Sequence, residues 1–329
     1  MRELIVGAEE AGGRLDKYLQ KYMAKAPKSF FYKMLRKKNI TCNGKKCEGS
    51  ERLSEGDAIR LFLSEETIEK FREETAAGNR YPETELDIVY EDSQVLLLNK
   101  PAGMLSQRAE EKDASLVEYL IGYLLKKGEL TEEKLRSFRP SVCNRLDRNT
   151  SGLITAGKTL PALRELSSLL KERQVKKYYL CLVDGILKEK QHLNGFLRKN
   201  ERTNQVQVFQ EAVPESSEIH TAYEPLAHGR GTTLLKVELI TGRSHQIRAH
   251  LASIGHPVVG DAKYGDPEKN RRFRARYGLR SQLLHAWEMD FPSLSGALSG
   301  LSGRQFFAAL PKQFSEILEA EGIASPEGK

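Results

Sequence analysis

Charge is distributed along this 329-residue chain in three blocks. Residues 1–63 contain 14 lysines and arginines against 8 aspartates and glutamates, a net charge of +6, whereas residues 64–92 contain 3 against 10. The chain is also long for one compact core. A basic segment, an acidic connector and a long basic segment therefore predict two domains. We place them at 1–64 and 83–329, with an acidic linker at 65–82.

Composition narrows the class of protein. Apolar residues make up 39% and charged residues 29% of the chain, as in globular proteins, and the basic pI near 9.0 favours a polyanionic partner. The four cysteines are scattered and form no CxxC pair, which indicates a reducing compartment. We find neither the pattern of a signal peptide nor an apolar run near the roughly 20 residues that span a bilayer. We expect a cytoplasmic protein that does not contact membranes.

The first block has the pattern of two helices followed by two short strands. Apolar residues at helical spacing predict the first helix: Leu15, Tyr18, Leu19, Tyr22 and Met23. After Pro27, Ser29 offers an N-cap for the second helix. Short strands are predicted at 40–42 and 58–63.

Cations are concentrated on and beside the second helix. They are Lys28, Lys33, Arg36, Lys37 and Lys38. Lysines and arginines on one helix edge bridge backbone phosphates without reading sequence. We predict that these five side chains bind RNA; the alternative is an ordinary solvated helix face.

The larger block predicts an α+β domain with a mixed, mainly antiparallel sheet flanked by helices and loops. Several of its strands are joined by short turns, and the regular spacing of a parallel βαβ sheet is absent. Strands are predicted at 86–90, 95–99, 152–156, 175–184 and 232–241. Helices are predicted at 114–127, 159–172, 244–254 and 312–321.

Four segments of this block combine polar side chains with strand or turn patterns. They are residues 97–103, 144–152, 177–183 and 242–250. The second contains a single carboxylate, Asp147, between Arg145 and Arg148, and taken alone that arrangement is more typical of a structural ion pair than of a catalytic site. Tyr179 in the third segment has a core position as its alternative, with Tyr178 as the competing tyrosine.

These segments together resemble the RluA-type pseudouridine synthases, closest to their large-subunit ribosomal RNA enzymes of the C type. The matching pattern is Arg145-Leu146-Asp147-x-x-Thr150-Ser151-Gly152, followed downstream by Thr241-Gly242-Arg243-x-His245-Gln246-Ile247-Arg248-x-His250. Residues 12–63 resemble the S4 RNA-binding domain. The matches there are Gly13-Arg14-Leu15-Asp16, Pro27-Lys28-Ser29 and Asn43-Gly44. The segment Gly260-Asp261-x-x-Tyr264-Gly265 favours the C type.

The resemblance implies an isomerase that converts uridines in RNA, above all large-subunit ribosomal RNA, to pseudouridine without metal or organic cofactor. It implies that Asp147 attacks the target nucleotide and that Arg248 pairs with Asp147. It further implies that Tyr179 packs against the flipped base and that Arg145 enters the stack the base has left. The alternatives are a synthase directed to transfer RNA and a non-catalytic RNA-binding or ribosome-assembly factor. We expect a monomer.

The chemistry accounts for these residue types. Pseudouridine formation breaks an N-glycosidic bond and rejoins the uracil through carbon, which a carboxylate promotes by nucleophilic attack or by stabilising positive charge. A neighbouring arginine keeps the carboxylate ionised and oriented. The target atom is inaccessible in a stacked helix, so the base must be flipped out. Asn144 stands where the family often has histidine, which puts a proton-transfer role at that position in doubt.

Two further features lie in the larger block. The stretch 269–277 is strongly basic, and we predict a loop or short helix whose Arg271, Arg272 and Arg274 contact RNA, with Phe273 or Tyr277 stacking on a base. The alternative is a solvated surface segment. The histidines at 245, 250 and 256 lack the spacing of a metal site, so we expect no metal.

Overall fold

The computed structural model describes residues 1–7, 10–71, 81–82, 84–110 and 113–326. The chain forms two compact units. The first comprises Met1–Glu85, Val117–Ser141 and Gly157–Glu165, and the second comprises Leu86–Leu116, Val142–Ala156 and Leu166–Lys329. Most of the predicted linker, residues 72–80, lies outside the described residues, and the predicted domain boundaries stay a prediction.

The N-terminal segment contains the two predicted helices and a small antiparallel sheet. Its elements are β1 (Arg2–Ile5), α1 (Leu15–Tyr22), α2 (Lys28–Arg36), β2 (Ile40–Cys42), β3 (Lys45–Lys46), β4 (Ala58–Leu61) and α3 (Glu65–Phe71). The strand order is β1-β4-β2-β3. The apolar faces of the helices form a core that includes Leu15, Leu19, Phe31 and Leu35.

The predicted N-cap of α2 was wrong. Pro27 occupies that position with an extended backbone, and α2 begins at Lys28 with no side chain capping it. The fixed φ of proline suits the residue that leads into a helix, so the helix begins before Ser29.

The remaining chain alternates strands and helices. In order, its elements are β5 (Ile88–Glu91), β6 (Val95–Lys100), α4 (Leu116–Lys126), α5 (Glu132–Ser137), β7 (Ser141–Val142), β8 (Ser151–Gly157), α6 (Leu160–Lys171), β9 (Lys176–Asp184), β10 (Gln191–Asn200), β11 (Gln205–Phe209), β12 (Ser217–His228), β13 (Thr232–Leu239), α7 (Gln246–Ser253), α8 (Pro267–Tyr277), β14 (Leu284–Asp290), a 3₁₀ helix (Gly296–Leu301), β15 (Gln305–Phe307) and α9 (Lys312–Ala320). Every helix and strand predicted for this part of the chain is present within a few residues of its predicted bounds.

The large sheet is mixed and mainly antiparallel, and it confirms the predicted α+β class. Its strands follow the order β11-β10-β12-β13-β9-β14-β8-β6-β5, with β15 added beside β14. Strands β8 and β14 pair in parallel, whereas β9 pairs antiparallel with both β13 and β14. Strand β9, which carries Tyr179, therefore lies in the middle of the sheet.

Strands β10, β11, β12 and β14 were not predicted. Strand β14 is central and buried, yet it contains His285 and Glu288 and so lacks a continuous apolar run. Their partners are distant in sequence: His285 bonds Ser151 at 2.9 Å, and Lys236 bonds Glu288 at 2.5 Å. Such burial of polar groups depends on tertiary partners that local patterns do not reveal.

The basic stretch 269–277 lies within helix α8, and one expectation about it was wrong. Phe273 is only 6% exposed and belongs to a core with Leu182, Leu234 and Phe314. It is therefore not available to stack on a base, because it is the residue that anchors α8. Tyr277 is half-buried, and its hydroxyl donates to Glu321 at 2.7 Å.

No helix among the residues that the structure describes is long and apolar enough to cross a bilayer.

Candidate active site

Asp147 lies in the loop that leads into β8, and its backbone is held at several points. The amide of Thr150 donates to the carbonyl of Asp147 at 3.0 Å. The hydroxyl of Ser106 bonds both the amide and the carbonyl of Leu146, at 3.0 and 2.8 Å. Gly152 has φ +111°, and a Cβ there would stand 2.2 Å from the carbonyl oxygen of Ala286. Glycine thus permits the close parallel pairing that fixes the loop's exit.

Lys100 supports the same loop from a fully buried position. Its ammonium donates to the carbonyls of Pro101, Met104 and Arg148, at 2.8, 2.9 and 3.1 Å. Burial lowers the pKa of Lys100 to about 7, and the negative charge of Asp147 opposes that shift. These contacts indicate that Lys100 sets the shape of this turn.

Asn144, the residue that departs from the family pattern, hydrogen-bonds to strand β8 through its side chain. Its amide donates to the carbonyl of Leu153 at 3.2 Å, and its oxygen accepts from the amide and hydroxyl of Thr155 at 2.8 and 3.0 Å. Both ends of the side chain are engaged in joining the loop to β8. This arrangement needs no titratable group.

Arg248 of α7 connects two carboxylates. One terminal nitrogen donates to Oδ2 of Asp147 at 2.8 Å, while Nε and the other terminal nitrogen donate to the two oxygens of Asp261 at 2.6 and 2.8 Å. The side chain of Asp261 is fully buried, that of Arg248 is 6% exposed, and that of Asp147 is 27% exposed. Because Asp261 binds two nitrogens of the planar guanidinium, the guanidinium is fixed in place and its remaining terminal nitrogen points at Asp147.

The charges around Arg248 stabilise its cationic form. Burial by itself would lower the pKa of Arg248, but the hydrogen bonds and charges of Asp261 and Asp147 outweigh burial and raise it. The guanidinium therefore stays protonated while it holds the carboxylate. Asp261 also accepts from the amides of Lys263 and Tyr264, at 2.8 and 3.2 Å, so this buried charge is well compensated.

Helix α7 begins at Gln246, directly after a residue with an unusual backbone conformation. His245, its N-cap, has a left-handed backbone with φ 56°. Gln246 is buried and bonds the amide of Arg243, the hydroxyls of Thr241 and Thr221, and the carbonyl of His220. His245 and Arg248 are three residues apart, so both reach the same side of the helix. There, Nε2 of His245 lies 3.9 Å from Oδ1 of Asp147.

The two candidate tyrosines of β9 have different environments. Burial raises the pKa of Tyr179, and the charge of Asp147 raises it further. Burial raises the pKa of Tyr178 to about 12, with contributions from Glu238, Asp290 and Glu288 instead. The ammonium of Lys236 lies 4.2 Å from the centroid of the Tyr178 ring. The electrostatic environment thus associates Tyr179, and not Tyr178, with Asp147.

Comparison with known proteins points to one family. Residues 94–253 match the family model described as RNA pseudouridylate synthase. The chain is 34% identical over 298 residues to ribosomal large subunit pseudouridine synthase C of Vibrio parahaemolyticus, covering 87% of each. It is 32% identical over 304 residues to the enzyme of the same name from Escherichia coli strain K12, again covering 87% of each. The chain belongs to the RNA pseudouridine synthase family.

A solved structure supports the same fold. Human RNA pseudouridylate synthase domain containing 4 superposes with a TM-score of 0.58 at 19% identity, covering 73% of this chain and 95% of that one. As a pseudouridine synthase, this protein is an isomerase that acts on RNA. The family and the reaction class expected from the sequence are thus confirmed, while the roles of individual residues remain proposals.

The predicted RNA-binding residues of this synthase are all exposed. They are Arg145 beside Asp147, five cations of the N-terminal segment (Lys28, Lys33, Arg36, Lys37, Lys38) and Arg271, Arg272 and Arg274 of α8. Within the part of the chain that the structure describes, none of them forms an ion pair with a carboxylate. Arg145 is therefore not an ion-pair partner of Asp147, which pairs with Arg248 instead.

Three residues of the synthase's site were not assigned a role from the sequence: Asp261, His245 and Tyr264. Tyr264 contacts both Arg248 and His245. The guanidinium of Arg248 lies 5.2 Å from the centroid of the Tyr264 ring, and the Tyr264 hydroxyl lies 2.8 Å from Nδ1 of His245. All three lie inside the motifs that carry the family resemblance, so the sequence marked their positions. Among the described residues, no group of three or more histidines, cysteines or carboxylates is arranged to hold a metal ion.

Proposed function

We propose that this protein isomerises specific uridines of large-subunit ribosomal RNA, with Asp147 as the catalytic carboxylate. The names of its relatives in Vibrio and Escherichia support the choice of RNA. One observation carries the choice of residue. Oδ2 of Asp147 is held by Arg248, whereas Oδ1 accepts no hydrogen bond from any residue that the structure describes. The half-buried carboxylate is thus oriented through one oxygen and free to react through the other.

The surrounding groups suit this chemistry. Arg248 holds Oδ2 of Asp147, and Asp261 keeps Arg248 from turning away, so the nucleophile is preorganised before RNA binds. Tyr179 supplies a flat wall for a uracil that has left the helical stack. A carboxylate attached through Oδ1 to the target nucleotide would allow the detached uracil to rotate and rejoin through C5.

The exposed cations supply the binding surfaces of the proposal. Helix α2 and the residues that follow it present Lys28, Lys33, Arg36, Lys37 and Lys38, and α8 presents Arg271, Arg272 and Arg274. Solvated cations without carboxylate partners attract backbone phosphates at little desolvation cost. Arg145 lies close enough in sequence to Asp147 to fill the space that the flipped base vacates. The resemblance of residues 12–63 to an S4 domain belongs to this proposal.

Replacing Asp147 by Asn tests the catalytic role. The amide has nearly the same shape but lacks the negative charge and the nucleophilicity, so we expect turnover to fall by at least about a thousandfold. Tritium release from 5-tritiated uridine in ribosomal RNA measures turnover, and filter binding measures RNA affinity. Affinity should stay within a few-fold of wild type. Turnover near the wild-type rate would refute the assignment.

Substrate choice needs a separate experiment. Pseudouridines are mapped in both ribosomal and transfer RNA from cells that lack the gene, with cells expressing the Asp147→Asn variant as the control. Sites lost from large-subunit ribosomal RNA in both strains support the proposal, and sites lost only from transfer RNA contradict it. The proposal also includes a monomeric, cytoplasmic enzyme, which sedimentation and cell fractionation test.

A further inference from the structure

We propose that His245 binds the target nucleotide directly, donating the Nε2 hydrogen to the ribose 2′-hydroxyl beside the reactive oxygen of Asp147. The inference rests on the proposed catalytic role of Asp147. It assigns to His245 a contact that distinguishes RNA from DNA at the reacting nucleotide.

The hydrogen bonds around Tyr264 favour the tautomer of His245 that carries its hydrogen on Nε2. The amide of Val206 donates to the Tyr264 hydroxyl at 2.8 Å, and that hydroxyl lies 2.8 Å from Nδ1 of His245. Because the amide already donates, the hydroxyl hydrogen is satisfied when it points at Nδ1. The imidazole is then neutral, with its hydrogen on Nε2. Burial lowers the pKa of His245, which also favours the neutral ring, although the charge of Asp147 opposes this.

The Nε2 hydrogen has no acceptor within the described part of the protein. Oδ1 of Asp147 is the nearby candidate, but 3.9 Å is too long for a hydrogen bond. The side chain of His245 is 10% exposed, and Nε2 is not among the fully buried atoms that lack a partner, so a ligand can reach it. Its left-handed backbone conformation, at φ 56°, is unfavourable for most residues and is often kept at functional sites.

The chemical nature of the missing partner follows from the two atoms that face it. An oxygen placed between them at hydrogen-bonding distance from each must accept from Nε2 and donate to Oδ1. A hydroxyl does both, whereas a uracil carbonyl only accepts and would be repelled by the carboxylate. Within an RNA chain, the 2′-hydroxyl is the sugar hydroxyl that is not esterified. It also lies next to the anomeric carbon, whose bond to uracil is broken.

Two substitutions separate substrate contact from structural support. In His245→Asn, the side-chain amide of asparagine lies where Nδ1 of histidine lies, so the contact with the Tyr264 hydroxyl is kept. The hydrogen-bond donor that Nε2 directs toward Asp147 is lost. Asparagine also tolerates the left-handed backbone conformation. In His245→Gln the amide reaches the position of Nε2 and keeps that donor. We expect kcat/KM to fall about tenfold or more for His245→Asn, and to stay within about threefold of wild type for His245→Gln.

The closing experiment measures both variants on RNA with uridine or 2′-deoxyuridine at the target position, with thermal unfolding to verify the fold. The difference between wild type and His245→Asn should disappear on the deoxy substrate, because the acceptor is gone. A defect in His245→Asn that persists on 2′-deoxyuridine overturns the inference, as does wild-type activity of His245→Asn together with a defect in His245→Gln. An active Asp147→Asn variant would instead reject the proposed function, so the two failures are distinguishable.

Discussion

The cations around Asp147 and those of helix α2 differ in how they are satisfied. Arg248 is 6% exposed and donates to two carboxylates, and the fully buried Lys100 donates to three backbone carbonyls. By contrast, Lys33 and Arg36 of α2 are exposed and have no carboxylate partner among the described residues. The enclosed cations have fixed directions, whereas those of α2 remain free to meet a ligand.

This difference indicates a division of labour. A desolvated, fully bonded cation holds its partners at fixed distances and angles, which suits the orientation of a nucleophile. A solvated cation contributes long-range attraction that salt weakens, which suits a phosphate backbone. If the comparison is correct, substitutions in the two regions should change different measurements.

Among the substitutions that test this comparison, Arg248→Ala should have the largest effect. Asp261 would be left buried without its main partner, which costs about 3–5 kcal/mol of unfolding free energy, and Asp147 would lose its orientation. We expect turnover to fall at least about a hundredfold. Urea unfolding and tritium release measure the two effects.

The conservative variant Arg248→Lys serves as the control for charge. It keeps a cation but cannot bond Asp147 and both oxygens of Asp261 at once. It should recover part of the stability and little of the activity. Full activity in Arg248→Lys would show that a positive charge alone suffices for turnover. It would contradict the claim that the fixed direction of the Arg248 guanidinium matters.

A double substitution in α2, Lys33→Gln with Arg36→Gln, should weaken RNA binding while leaving stability nearly unchanged. Each lost phosphate contact lowers the slope of log affinity against log salt by about 0.9, so the slope should fall by about two. The matched control replaces Arg2 and Arg60, which are paired with glutamates at 2.7 and 2.5 Å in the same segment. Equal effects of the two double variants would mean that only net charge matters.

Acid should destabilise the second unit through its buried histidines. Burial lowers the pKa of His285 from an ordinary value of 6.5 to about 4, with a hydrogen bond to Ala308 opposing the shift. Between these two pKa values, the folded state binds fewer protons than the unfolded chain. The contribution of His285 to stability therefore falls as the pH drops from about 6.5 toward 4. The slope is at most about 1.4 kcal/mol per pH unit.

Urea unfolding of wild type and His285→Gln across this pH range measures that contribution. The variant should be less stable at pH 7 but should lose less stability on acidification. Parallel pH profiles for the two proteins would show that His285 does not titrate during unfolding.

Much of the fold was predictable because its signals are local. Leu15 and Leu19 repeat at helical spacing and form the first helix, and the apolar run at 95–99 forms a buried strand. Strand β14 was missed because it contains the polar residues His285 and Glu288, whose burial the local sequence pattern does not reveal. Ser29 was misassigned as an N-cap because proline suited that position better.

The candidate site shows the same division. The sequence by itself determined the family, through the order and spacing of the motifs around Asp147 and Arg248, and it marked the candidate residues. Only the tertiary structure decided that Asp261 orients Arg248, that Tyr179 rather than Tyr178 lies in the field of Asp147, and that Nε2 of His245 lies 3.9 Å from Oδ1 of Asp147. The physical reason is range. Helix and strand periodicity is set by neighbours a few residues apart, whereas the environment of a carboxylate is set by groups such as Arg248, 101 residues away in the chain.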